Sequence, residues 1–341
     1  MNSKSSNVKY LIGFIIGSAL LGAFLSIITF DRFGEKRQSL SSDFDYDISE
    51  LRKTDPAAIL YEEIKPRIDT GHSWGRALAV GPEDRIYTIG GKRMHHFSSS
   101  GERLPLTIER EQELTAITVL EDGTIYLGVT DHIEIYDAAG QLLSRWDRLA
   151  PGAEITSIAV TPEMVFAADF GSRSVICYDA SGTKTGSFGD FKLPSNYFDI
   201  VIASDGYLYT ANTGRHRIEA FDQNGNLLSW WGEYSNVDQS KFCGCCNPIS
   251  FALLPHDGGF VTCEKGLTRV KVYDGEGNFI GFVAGPEDFD QHGSLTATLE
   301  YCYNRMGLDV AVDSQGRVLI LDPAMAEIRM YQRKSDSLAY R

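Results

Sequence analysis

Asp205-Gly-Tyr-Leu-Tyr-Thr-Ala-Asn212, followed shortly by Arg217-Ile-Glu-Ala-Phe-Asp-Gln-Asn-Gly225, decides the fold. It reads as a turn, an apolar run, a polar loop, and a second apolar run that ends in an aromatic residue, Asp and Gly. With Ile200–Ile202 before it, the unit has three short strands, and the same unit recurs along the chain. Third runs end at Phe97-Ser-Ser-Ser-Gly101, Tyr136-Asp-Ala-Ala-Gly140, Tyr178-Asp-Ala-Ser-Gly182, Phe221-Asp-Gln-Asn-Gly225 and Tyr273-Asp-Gly-Glu-Gly277, with a degenerate sixth at Tyr331. In such a hairpin the aromatic packs between neighbouring sheets, Asp caps the turn, and Gly supplies the left-handed backbone. First runs lie at Ala77–Val80, Ala116–Val119, Ser157–Val160, Ile200–Ile202, Phe251–Leu254 and Leu308–Val312. A repeat of about 40 residues with four short strands per unit describes a β-propeller blade. Six copies give an all-β, six-bladed propeller over residues 56–335, with a short tail at 336–341. The last copy stops at its third strand, so Ile59–Ile68 is expected to close the ring as its fourth, which removes a free sheet edge.

The composition agrees with this. Hydrophobic residues make up 43% of the chain, enough for a sizeable core, and 33 Gly with 16 Tyr and 18 Phe suit short strands joined by tight turns. The formal net charge of −14 argues against nucleic acid as a partner, because phosphate binding needs clustered Lys and Arg.

The repeats resemble the NHL family from Ile59 to Tyr331, most closely in Asp205–Asn212 and Arg217–Asp222. Blade one, with Gly90-Gly91 in place of the acidic end, and blade six depart from the pattern. The stretch Phe242-Cys-Gly-Cys-Cys-Asn-Pro248, with Cys263-Glu-Lys-Gly266, is similar to blade five of a bacterial NHL group carrying a Gly-Cys-Cys-Asn-Pro element. The resemblance implies a fold far more than a function. NHL propellers include binding platforms, lyases and lactonase-like hydrolases, so an activity must be argued from a site.

Tyr10 to Phe30 is a run of 21 uncharged residues after a short tail, residues 1–9, with Lys4 and Lys9. At about 1.5 Å per residue it spans the roughly 30 Å of a bilayer core. No small-residue cleavage site follows it and no Cys stands at its end to take a lipid. An uncleaved transmembrane signal-anchor helix is therefore expected, followed by an acidic juxtamembrane linker at 31–55. Lys4 and Lys9 nearly balance Arg32, Lys36 and Arg37 across the span, so charge alone does not orient it. The short tail and large following domain suit a single-pass inner-membrane protein with the propeller outside the cytoplasm, in the periplasm. Gly13 with Gly17 and Ser18 with Gly22 read as ordinary membrane-helix glycines before a pairing motif.

The cysteines are unevenly placed. Cys177 lies inside a third strand and reads as a buried structural thiol. Cys243, Cys245 and Cys246 fall in the connection into blade five, Cys302 in the connection into blade six, and Cys263 at the end of the second strand of blade five. Connections between blades and loops between second and third strands emerge on one face of a propeller. All five cysteines are therefore expected on that face, over blades five and six. Three chemistries suit them. Disulfide bonds would pin the two long connections. An iron–sulfur cluster or zinc would use the C-x-x-C of Cys243 and Cys246 with Cys263 and Cys302. A redox-active pair would be Cys243 with Cys246, or the adjacent Cys245 and Cys246.

His72, His216 and His292 are expected on the same face as additional ligands or proton carriers, beside His132, each weighed against an ordinary loop histidine. His95, His96 and His256 fall elsewhere. Arg215, Arg217 and Lys265 form a rim suited to an anionic partner or simply to solvent. No nucleophile elbow, phosphate-binding loop or zincin helix is present in the sequence. The expected function is a membrane-tethered, extracytoplasmic module, more a binder than an enzyme, that takes a protein or small ligand on its loop-rich face. A redox or electron-transfer accessory protein with a Cys-ligated metal centre is the alternative, and a lactonase-like hydrolase or lyase the next.

Overall fold

The computed structural model describes residues 53–255, 258–289, 307–323 and 325–335. The expected anchor helix at 10–30, most of its linker, His256, His292 and Cys302 lie outside the described residues. No helix among the described residues is long and apolar enough to cross a membrane.

Six four-stranded antiparallel sheets form the six blades of a propeller, and five of them run in simple chain order. Blade one comprises Ala77–Val80, Ile86–Gly90, Arg93–Phe97 and Arg103–Glu109, and blade four Ile200–Ile202, Leu208–Asn212, Arg217–Phe221 and Leu227–Trp231. Blade five comprises Ser250–Leu253, Phe260–Glu264, Arg269–Tyr273 and Phe279–Ala284. The sixth sheet differs: Asp309–Val312, Val318–Asp322 and Glu327–Arg333 take their outer strand from Tyr61–Asp69, which pairs antiparallel with Glu327–Arg333 from Tyr61 opposite Arg333 to Asp69 opposite Glu327. The first strand of the described residues thus clasps the last.

The repeat turns show why Asp and Gly recur. Asp137 Oδ1 accepts from the amides of Ala139 and Gln141, and Asp222 and Asp274 do the same two and four residues on, all at 2.8–3.0 Å. The glycine that follows has positive φ, +84° at both Gly225 and Gly277. It also lies under the outer part of the preceding blade, where a Cβ would come within 2.4 Å of Phe188 at Gly225 and 2.3 Å of Trp231 at Gly277. The turn therefore serves as a blade-to-blade contact as well as a reversal.

The core consists of apolar layers between successive blades, such as Val261, Val270, Val283, Val310, Val318 and Ile320 between blades five and six. Middle strands are buried on both faces, so several carry charge in the interior. Glu134, Glu219, Lys271 and Arg329 occupy equivalent third-strand positions and are each almost fully buried. They are held by ion pairs: Glu134 to Arg145 at 2.7 Å, Glu219 to Arg217 at 2.6 Å, and Lys271 to Glu264 at 3.0 Å. Burying charge this way is tolerable only when it is paired.

Candidate functional site

The six first strands line a central channel of about 720 Å³. Strand pairing sets their register, and one equivalent position per blade lies at or near the start of each strand: Ala77, Ala116, Ser157, Asp199, Ser250 and Asp309. Four of these six are polar, on consecutive blades, in the order Ser, Asp, Ser, Asp.

An innermost strand is an edge whose outward amides need partners, and this ring supplies them. Asp199 Oδ2 accepts from the Phe251 amide of blade five at 2.9 Å, and Asp309 Oδ2 from the Leu78 amide of blade one at 2.8 Å. Ser157 donates to Asp199 Oδ1 at 2.7 Å, and Ser250 donates to the Leu308 carbonyl at 3.0 Å. The carboxylates therefore latch neighbouring blades together. They are also electrostatically uneasy. Both are partly exposed to the channel yet deep among protein atoms, and burial pushes Asp199 up to about 6. Burial, and then the charge of Asp199, pushes Asp309 up to about 7. Carboxyls raised toward neutrality can each accept or donate a hydrogen bond to a ligand in the channel.

Around this pair, at the loop-rich end of the channel, Arg76 meets Glu154 at 3.0 Å and Asn196 donates to the same Glu154 oxygen at 3.2 Å. Tyr197 accepts from the Gly307 amide through its hydroxyl, at 2.5 Å. Lys265 lies 4.8 Å over the Tyr197 ring and donates to Ser195 at 3.2 Å. The mouth thus mixes carboxylates, cations and an aromatic face.

Lys265 joins this mouth to the cysteines. Asn247 donates to the carbonyls of Cys243 and Lys265 and accepts from the Lys265 amide, which laces the Cys243–Asn247 turn to the loop after Cys263. Cys243 is buried, with its amide on Glu264 at 3.0 Å and its sulfur 4.0 Å from Arg269, and burial, then Glu264, pushes its thiol up to about 11. Cys263 is fully enclosed opposite Ser250, and burial raises its thiol well above the ordinary range. Cys245 is exposed, Cys246 is buried, and their sulfurs are 3.3 Å apart. The five described cysteines, Cys177 included, are free thiols. Among the described residues no three His, Cys, Asp or Glu side chains converge to hold a metal ion. The described cysteines thus bring Cys245 together with Cys246, while Cys243 packs against the Glu264–Arg269–Lys271 cluster.

The histidines separate in the same way. His216 reaches the cysteine turn, its Nε2 donating to the Gly244 carbonyl at 2.7 Å. His72 is stacked on His95 with centroids 4.3 Å apart, and burial, then His95, lowers it to about 4, so it is neutral in blade one. His132 lies between Asp131 and Glu134. Arg217 is held by Glu219 and by the face of Trp230 at 4.6 Å, and Arg215 lies 3.7 Å from Glu219. Of the expected rim, Lys265 alone reaches the channel mouth.

Sequence reasoning passed over Asp199 and Asp309. The signal was an acidic residue opening an otherwise apolar first strand, in Phe198-Asp-Ile-Val-Ile202 and Leu308-Asp-Val-Ala-Val312.

No protein-family model matches the chain, and no curated protein sequence matches it. Solved structures do. The chain is similar to streptogramin B lyase, at 14% identity and TM-score 0.50, over 76% of this chain and 79% of that one. A protein of unknown function from Bacteroides thetaiotaomicron matches at 13% identity and TM-score 0.56, over 82% of this chain and 74% of that one. A catalytically inactive virginiamycin B lyase from Staphylococcus aureus, solved with quinupristin, matches at 11% identity and TM-score 0.51, over 76% and 80%. At these identities the likeness is one of fold, and what this chain shares with them is the six-bladed β-propeller.

Proposed function

We propose that this chain is a membrane-tethered, extracytoplasmic binding module whose ligand enters the mouth of the channel on the loop-rich face. The observation that carries the reading is the placement of Asp199 and Asp309, partly exposed in a channel large enough for a small molecule and raised toward neutrality. Functional pockets are where such perturbed groups concentrate. Carboxylates at the mouth suit a small polar ligand, or a partner side chain, that carries a cationic or hydrogen-bond-donating group. The ring of latches gives the pair a rigid frame, as a preorganised site requires.

Thermal unfolding of the purified propeller against a panel of alkylamines, amino sugars and short basic peptides tests this. A ligand that raises Tm in the natural protein, and no longer does so in Asp199→Asn/Asp309→Asn, supports the site. A shift that survives the double substitution places the ligand elsewhere.

The tether rests on the uncharged run from Tyr10 to Phe30. The full chain should sediment with membranes and resist extraction by high salt, whereas a chain starting at Lys53 should stay in the supernatant. External protease acting on spheroplasts should digest the propeller, and protection would reverse the orientation. The repeats are assigned to the NHL kind on Asp205–Asn212 and Arg217–Asp222. A second reading, as a redox accessory protein, is favoured by one observation, the contact between the Cys245 and Cys246 sulfurs.

A further inference from the structure

The turn between blades four and five holds two consecutive thiols in contact, one open to solvent and one enclosed. Cys245 Sγ is 3.3 Å from Cys246 Sγ, and Cys245 is the exposed member. Two side chains fix this turn through three hydrogen bonds. His216 of blade four holds the Gly244 carbonyl at 2.7 Å, and Asn247 holds the Cys243 carbonyl at 2.5 Å and the Lys265 carbonyl at 3.0 Å. Gly244 takes φ +78°, a left-handed bend closed to most side chains, just before the pair. The turn is thus built, and what it presents is a vicinal dithiol.

Exposure assigns the two sulfurs different parts. The contact with Cys246, then burial, raises the Cys245 thiol and lowers its thiolate fraction, which Lys265 opposes, so access and not acidity makes Cys245 the attacking sulfur. Cys245 is open to an incoming reagent, and Cys246 is buried behind the contact between the two sulfurs. The C-x-x-C alternative is engaged elsewhere, since Cys243 lies against Arg269 and Glu264 in the interior. Zinc fits the pair poorly as placed. With Zn–S bonds of about 2.3 Å, sulfurs 3.3 Å apart subtend only about 92° at the metal, well short of the tetrahedral angle.

We infer that Cys245 and Cys246 form a thiol–disulfide exchange site, with Cys245 the attacking and Cys246 the resolving sulfur, acting on small disulfides. The Cys245 thiolate attacks one sulfur of a disulfide RSSR, which forms a Cys245–SR bond, breaks the RS–SR bond and releases RS⁻. The Cys246 thiolate then attacks Cys245 Sγ, which forms the Cys245–Cys246 bond and expels the second RS⁻. Two thiols are oxidised, one RSSR is reduced, and the two thiol protons leave with the two RSH. A ring disulfide between adjacent residues is strained, and strained exposed disulfides are the readily reduced ones, so the step runs in either direction. Lys265, clamped to the same turn by Asn247, places this couple beside the mouth of the channel.

The test uses the full chain, reduced, then equilibrated with oxidised and reduced glutathione in set ratios, alkylated and mapped by peptide mass spectrometry. The expected product is a Cys245–Cys246 bridge, with two thiols lost and the peptide lighter by two hydrogens. Cys246→Ser should accumulate a glutathione adduct on Cys245, Cys245→Ser should leave Cys246 unmodified, and Cys243→Ser should leave the natural bridge intact. A bridge from either sulfur to Cys243 or Cys302 overturns the assignment, as does an adduct forming on Cys246 in Cys245→Ser. Zinc retained stoichiometrically through these thiols overturns it too, and so does failure of both to react at the most oxidising ratio. The map of the natural protein decides the matter even if a serine variant misfolds.

Discussion

Asp309 shows how one side chain can serve the fold and oppose it. Its unfolded carboxyl titrates near 3.8, and the folded one, buried and facing Asp199, near 7. Between about pH 4 and pH 7 the native state therefore holds a proton that the unfolded chain has lost, so stability falls as pH rises through that window. Asp309→Asn keeps an oxygen for the Leu78 amide and removes the titration. Urea unfolding should find the variant matching the natural protein near pH 4 and gaining on it toward pH 8; a constant gap at all pH would refute the shift. Asp309→Ala strands the Leu78 amide and should cost about 1–3 kcal/mol near pH 4, a deficit that shrinks toward pH 8 because the titration is removed as well. The buried pair in blade five behaves differently. Lys271 has Glu264 at 3.0 Å and donates to the Lys241 carbonyl at 2.7 Å, all shut away from water, and burial already lowers its affinity for a proton. Glu264→Gln leaves that ammonium with neutral partners only and should destabilise by about 3–5 kcal/mol. Adding Lys271→Met should recover much of the loss, and the double-mutant cycle measures how much belongs to the pair.

At the scale of the hairpin, the repeat glycine does two jobs that substitution can separate. Gly277 has φ +84° and lies under Trp231, whereas Gly152 has φ +90° and open space where a Cβ would go. Gly152→Ala should cost about 1 kcal/mol for backbone conformation alone. Gly277→Ala adds a collision with a packed indole and should cost at least about 2 kcal/mol more, in the range of core overpacking. Equal losses in chemical denaturation would mean that the blade-to-blade contact contributes nothing. These turns were legible in the sequence because their chemistry is local: Asp caps amides two and four residues on, and Gly alone accepts the bend. The latches were not. Asp199 bonds a strand some fifty residues away, and nothing near it in sequence marks Phe251 as its partner. Buried charge on the third strands was illegible for a related reason. Alternation marks strands with one wet face, whereas Glu219 and Lys271 lie between two blades with their partners beside them. The cysteine turn was half legible. Spacing brought Cys243, Cys245 and Cys246 to one loop, but only the Gly244 bend and the pull of Arg269 and Glu264 on Cys243 select which two sulfurs meet.

The whole ring depends on a join that is not local at all. Tyr61–Asp69 completes blade six, and Leu60 donates to the Phe282 carbonyl of blade five at 2.9 Å, so one short segment bridges the last two blades. Without it Glu327–Arg333 becomes an unprotected edge and the apolar layer over Ile328 and Met330 loses Ile68 and Ile64. Blades one to five each finish their own sheets, and their contacts run chiefly to neighbours, so the damage enters at one seam and spreads from there. A chain starting at Lys53 should melt in one transition, monomeric, at the same temperature as the propeller of the full protein. A chain starting at Thr70 should melt earlier, broaden its transition and associate through the exposed edge, seen as mass growth in light scattering. Supplying residues 53–69 as a separate peptide should restore part of the lost Tm in proportion to its concentration, because binding only to the closed state stabilises by mass action. A Thr70 chain that melts like the longer one would mean that the six blades close without their clasp.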